Sequence, residues 1–170
     1  MDKMKTKQLL PLAIGVYALA MVLANLSAAT WGPKVTPLNA FILIGLDLTM
    51  RDWLHVRIKA WQMGVIIGVT GLITYALNPT AGAIAVASAT AFTAAALVDW
   101  SVFSAMKGSW LYRANASNVA GAAVDSMVFP LIAFGSFMPG IVLMQFIAKV
   151  AGGAVWSAVL NKFNRVDAVA

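Results

Sequence analysis

The chain has no cysteine, no glutamate and one histidine, His55. Without thiols there is no disulfide framework, no thiolate nucleophile and no haem-attachment motif, and one imidazole does not make a zinc site, so no metal and no other cofactor is expected. Charge of either sign is scarce. Only 11% of residues are charged against 61% hydrophobic, and the mean hydropathy is +0.84, which excludes a water-soluble core and describes a membrane protein with several spans. The net charge of +6 does not indicate a nucleic-acid partner, because the basic residues sit in ones and twos between apolar runs instead of lining one face. G-x-x-x-x-G-K-[ST], H-E-x-x-H and G-x-S-x-G are all missing. Their absence leaves no basis for an ATP-driven pump in this chain alone or for a zinc or serine intramembrane protease, and the chain is not expected to be an enzyme.

What the sequence has in quantity is apolar length. Six runs can be marked: Gln8 to Ala29, Pro37 to Leu54, Ala60 to Leu77, Ala81 to Met106, Ala114 to Phe134 and Pro139 to Leu160. Each approaches the roughly 20 residues that cross a bilayer as a helix. Trp31-Gly32-Pro33, Asn78-Pro79, Lys107-Gly108-Ser109 and Met138-Pro139-Gly140 supply the turn chemistry between runs. The first run imitates a signal peptide but is long for one, and is expected to be retained. The expected fold is therefore an all-α integral membrane protein, one domain over 1–170 with six transmembrane helices in one bundle.

Lys and Arg concentrate in cytoplasmic loops. Lys3, Lys5, Lys7, Arg57, Lys59, Lys107, Arg113, Lys162 and Arg165 all fall on one side of such a bundle and only Lys34 on the other, so both termini are expected inside. Trp31, Trp53, Trp61 and Trp110 stand at run ends, where aromatic rings anchor at the headgroups. Val98-Asp99-Trp100-Ser101-Val102-Phe103 is echoed by Val124-Asp125-Ser126-Met127-Val128-Phe129, and a division into two three-helix halves would make those halves inverted.

Polar groups inside the spans carry the functional information. Asp47, Asp52, Asp99 and Asp125 all lie within or at the ends of apolar runs. An Asp at the centre of a span costs roughly 2.5 to 3.5 kcal/mol on insertion scales, so such residues face a bundle interior and often serve function. Asn115, Asn118, Ala122, Asp125 and Phe129 step by three and four along one stripe. Asn39, Leu43, Asp47 and Arg51 step by four, which allows an Asp47–Arg51 ion pair, while Asp52 is expected to point away toward the headgroups. Gln145 and Lys149 lie one turn apart near the middle of the last run, where Lys149 needs an anion; Asp125 is favoured over Asp99. Small residues at Ala20, Ala24 and Ala28, and at Gly64 and Gly68, read as helix-packing surfaces, and Gly152 and Gly153 as a close contact or bend.

Asp47-Leu48-Thr49-Met50-Arg51 with Arg57, Ala91-Phe92 with Asp99 and Val102-Phe103, Trp110-Leu111-Tyr112-Arg113 with Ser117, Val124-Asp125-Ser126 with Phe129, and Lys149 occur in an order and spacing that resembles the VUT family of queuosine precursor transporters, named earlier as vitamin uptake transporters. The likeness covers roughly Thr36 to Lys149, with departures at Arg51, Leu54, Ala95, Ala96 and Gly121. It implies a multi-pass protein of the bacterial cytoplasmic membrane that imports 7-cyano-7-deazaguanine or its aminomethyl relative. Its partners would be this purine-like base and membrane lipid, and a homodimer is an admissible assembly. In that setting Asp125, Asn118 and Asp47 would read the base edge, Trp100 or Phe129 would cover the ring, and Lys149 would orient Asp125; Asp99, Asn115, Arg51 and Gln145 complete the candidate set. Two other functions fit the residues: substrate capture for a larger energised vitamin importer, and a structural membrane protein in which Asp125 and Lys149 serve as interhelical glue.

Overall fold

A computed structural model describes residues 3–55 and 57–164. The elements are α1 (Lys3–Trp31), α2 (36–55), α3 (Ala60–Leu77), α4 (Gly82–Ala105), α5 (Trp110–Phe134) and α6 (Pro139–Asn164), with short 3-10 turns at Gly32–Val35 and Pro79–Ala81. No strand occurs among the described residues. Four stretches are long and apolar enough to cross a membrane: Leu9–Leu54, which runs through α1 and α2, then Pro79–Ala105, Trp110–Phe134 and Pro139–Lys162; α3 is a shorter apolar helix. The protein is thus an all-helical, multi-pass membrane protein.

Local chemistry sets the helix ends. Gly32 adopts φ +68 where α1 turns toward α2, and Gly135 adopts φ +66 after α5, conformations that cost glycine nothing. The side chain of Gln62 accepts from the Lys59 N–H at 2.8 Å to close the start of α3, and Ser109 Oγ accepts from the Tyr112 N–H at 3.3 Å at the start of α5.

The bundle is inside out relative to a soluble one. Its outer surface carries Leu12, Leu19, Val65, Leu72, Leu97, Leu131, Leu143 and Ile147, all exposed. The second half of α2, Gly45–His55, is rich in polar residues, yet positions 45 and 47–54 are all buried. Asp47, Thr49, Arg51 and Asp52 lie within that run. α2 is therefore the central helix, with the other helices ranged around it, and in a membrane that is where the polar residues must go.

Two features fix this helix. Its middle, Ala40–Ile44, is a π turn between two α-helical segments, and the carbonyl of Ile42 accepts from Trp156 Nε1 at 3.0 Å. Just beyond it α2 crosses α6 backbone to backbone. A Cβ on Gly45 would lie 2.7 Å from the Gly152 carbonyl carbon, and one on Gly152 would collide with the Phe41 carbonyl oxygen. Gly152 thus serves the close contact expected of it. Gly64 and Gly68 do not: a side chain there would meet nothing within 4 Å among the described residues, so this pair makes no close backbone contact with a described helix.

The buried apolar cluster of Tyr17, Met21, Met50, Trp53, Leu54, Ile67 and Phe92 joins α1, α2, α3 and α4. Trp53 is consequently not a headgroup anchor: it ends a helix that is surrounded on all sides, with the Arg57 guanidinium 3.8 Å from its ring centroid. Trp110 also packs against this cluster, whereas Trp31 and Trp61 stand on the outside.

Candidate functional site: two polar chambers in the bundle

The first chamber forms where α5 and α6 meet α1 and the start of α2. Lys149 donates from Nζ to Asp125 Oδ2 at 2.6 Å, to Gln145 Oε1 at 2.9 Å and to Ser126 Oγ at 3.1 Å. Gln145 is one helical turn before Lys149, so both project from one face of α6; its Nε2 in turn donates to Thr36 Oγ1 at 2.8 Å, and Thr36 donates to the Pro33 carbonyl at 2.7 Å. All three donor positions of the ammonium are filled. Asn25, Asn39, Ser88, Phe92 and Phe129 complete the walls. Asn39 is itself held by the Ala24 carbonyl and Ser27 Oγ. The enclosed space is about 30 Å³, room for water and not for a heterocyclic base.

The second chamber lies toward the Lys59 loop, between α2, α3 and α4. It measures about 420 Å³, within the usual size of a small-molecule site, and is lined by Arg51, Lys59, Met63, Ile67, Asp99 and Trp100 among others. Here the polar groups are not satisfied. Arg51 Nη1 donates to the Phe92 carbonyl at 3.3 Å and Nη2 stands 3.8 Å from Asp47 Oδ2, an ion pair without a hydrogen bond. Arg51 Nε and Nη2 and Asp99 Oδ1 are buried and have no hydrogen-bond partner among the described residues. A buried donor or acceptor left unmade costs about 1 to 3 kcal/mol, so these groups are less well satisfied than those around Lys149. Phe92 lines the first chamber, and its carbonyl and ring, 5.8 Å from the Arg51 carbon, hold a residue that lines the second.

The structure divides the residues singled out by sequence. Asp125, Lys149, Gln145 and Phe129 line the first chamber; Arg51, Asp99 and Trp100 line the second. Asp47 is fully buried beside Tyr17 and lines neither of these two chambers. Asn118 is in a third polar cluster, where its Nδ2 donates to Thr49 Oγ1 and Ser157 Oγ, both at 3.3 Å. Asn115 joins no chamber. It lies near the start of α5, half-buried, and its amide folds back onto the Leu111 carbonyl at 2.8 Å. Trp100 is 52% exposed, since its neighbour Asp99 takes the inward direction and successive residues on a helix point about 100° apart.

Asp52 overturns an expectation. It does not reach the headgroups but is buried and accepts from Ser117 Oγ at 3.2 Å. The signal was present in Gly45, Thr49 and Asp52, a face of small and polar residues at helical spacing that packs on α5 and α6. Phe92 and Ser126 stood only within the stretches that carry the family likeness, and Ser88 and Tyr17 carry no such signal: a Ser or a Tyr in an apolar span is as suited to packing as to a chamber.

A family model described as "Putative vitamin uptake transporter" matches residues 11–160. No curated protein and no solved structure matches the chain.

Proposed function

From the premise that the chain belongs to this vitamin uptake transporter family, we propose that it is a six-pass carrier of the bacterial inner membrane that imports a queuosine precursor, a 7-deazaguanine base, without chemistry on it. Six passes follow if the 46-residue apolar stretch Leu9–Leu54 crosses twice, turning at Gly32, and if the shorter α3 crosses as well. The basic residues of the Lys59 and Lys107 loops and of the two termini then face the cytoplasm.

The observation that carries this function is the Lys149–Asp125 pair, buried inside spans and placed in the wall of a chamber together with two aromatic rings and several amide and hydroxyl groups. A deazaguanine edge offers N–H donors that Asp125 and the Asn25, Asn39 or Gln145 amides can accept, and a flat face that Phe129 or Phe92 can cover. The first chamber holds only about 30 Å³, so loading it requires its walls to move apart. Saturation of Lys149 supports a second reading, in which the pair is interhelical glue and nothing else. Uptake of radiolabelled 7-cyano-7-deazaguanine into vesicles that hold the full chain separates the two: Asp125→Asn should abolish uptake while folded protein remains in the membrane, and near-normal uptake by that variant sinks this assignment of the base site.

A further inference from the structure

The polar groups around the first chamber fall into two sets. Lys149, Asp125, Gln145 and Ser126, on α5 and α6, are bonded to one another, and Gln145 to Thr36 as well. Asn25 on α1 and Ser88 on α4 line the same space, 3% and 4% exposed, and neither side chain makes a hydrogen bond among the described residues. Asn118 Oδ1, Asp99 Oδ1 and the Arg51 nitrogens Nε and Nη2 also lack partners there, but they are sealed in the packing; the polar atoms of Asn25 and Ser88 are not sealed, and they open on the chamber that both residues line. Asn39 adds a carbonyl, since both hydrogens of its amide are taken by the Ala24 carbonyl and Ser27 Oγ. A buried amide and a buried hydroxyl left without bonds are costly unless a guest completes them.

The charge of the lining is as informative as its hydrogen bonds. Lys149 and Asp125 offset each other at 2.6 Å, and the other residues that line the chamber are uncharged. A charged solute would be buried against dipoles alone, which costs far more than burying a neutral polar one whose bonds are made. An amide offers two donors and a carbonyl, and a hydroxyl acts either way, so the two together suit a ring that carries N–H and C=O groups. We infer that Asn25 and Ser88 are solute-reading groups of the first chamber and that this chamber selects an uncharged heterocycle over a charged one. The inference rests on the transport function above and deepens it, since it assigns recognition to α1 and α4 as well as to Asp125 and chooses between two solutes. The 7-cyano base is neutral. Its aminomethyl relative carries a primary amine, charged near neutral pH as a lysine is, and is the poorer fit.

The test uses the full chain in proteoliposomes with radiolabelled 7-cyano-7-deazaguanine, and the unlabelled cyano and aminomethyl bases as competitors. In the wild type the cyano base should compete about tenfold better than the aminomethyl base. Asn25→Leu, of similar size and without hydrogen bonds, should lower uptake about tenfold, and Ser88→Ala severalfold. Asn25→Asp adds a carboxylate that Lys149 does not offset, and should shift the competition about tenfold toward the aminomethyl base. Asn25→Asp and Ser88→Ala decide the matter where Asn25→Leu fails to fold. Wild-type uptake by both Asn25→Leu and Ser88→Ala overturns the inference and leaves the transport function standing. So does equal competition by the two bases in the wild type, or a competition ratio that Asn25→Asp does not move. A wild-type chain that takes up neither base overturns both.

Discussion

Lys149 and Arg51 are both buried cations inside the bundle, and they are held in opposite ways. Lys149 meets a carboxylate at 2.6 Å, an amide oxygen and a hydroxyl, so its charge and all three donors are compensated by one face of α5 and its own helix. Arg51 has its carboxylate at 3.8 Å, one long hydrogen bond to a backbone carbonyl, and two nitrogens without partners. The fully hydrogen-bonded cation sits beside about 30 Å³ of space and the loosely hydrogen-bonded one beside about 420 Å³. A saturated cluster holds helices together and opens only if its bonds are exchanged for others; an unsaturated one leaves binding capacity for a guest. Polar residues at membrane depth thus do two kinds of work here, and their hydrogen-bond accounts distinguish them.

The comparison can be broken by mutation, and the largest effect is expected at Lys149. Lys149→Ala leaves Asp125 buried without its partner and should destabilise the folded protein by roughly 3 to 5 kcal/mol, read as a lower unfolding midpoint in detergent. Removing both charges at similar volume, with Lys149→Met and Asp125→Leu together, should recover most of that stability while uptake stays lost; a double variant as unstable as the single one would refute the pairing argument. Gly152→Ala should cost about 1 to 3 kcal/mol by the same measurement, because its Cβ collides with the Phe41 carbonyl at a crossing of two backbones. Asp99→Asn removes one of the carboxylates that face Arg51 and should lower the unfolding midpoint by less than Lys149→Ala does, because Asp47 still stands 3.8 Å from the guanidinium. A loss as large as that of Lys149→Ala would show that Asp99 is structural. Smallest of all, Asn115→Ala should change stability by no more than about 0.5 kcal/mol and leave uptake unaltered, because its amide only folds back on its own helix.

Much of the architecture was legible because the membrane imposes a strong rule on composition. Runs of apolar residues, turn residues between them and scarce charges specify helices in a bilayer with little ambiguity, and Lys149 near the middle of a run announces a buried partner before any coordinates are seen. The site was legible only in part. Spacing along α5 put Asn115, Asn118 and Asp125 on one stripe, but a stripe says nothing of what stands opposite: Asp125 meets Lys149, Asn118 meets Thr49 and Ser157, and Asn115 meets its own backbone. Asp52 was misplaced for a related reason. A polar residue at the end of a span was read as reaching water, which holds for a peripheral helix and fails for α2, whose end is enclosed by its neighbours.

By itself the sequence determined that the chain is helical, that it lives in a membrane, which residues would be costly there, and that Lys149 must be neutralised, since all of these follow from transfer energies and the helical repeat. Only the tertiary structure decided that α2 is the central helix, that Asp125 and not Asp99 serves Lys149, and that Asp125 and Asp99 line different cavities. Those outcomes depend on which helices are neighbours and at what height they cross, and the crossing of α2 and α6 at Gly45 and Gly152 sets that height through contacts far apart in the chain.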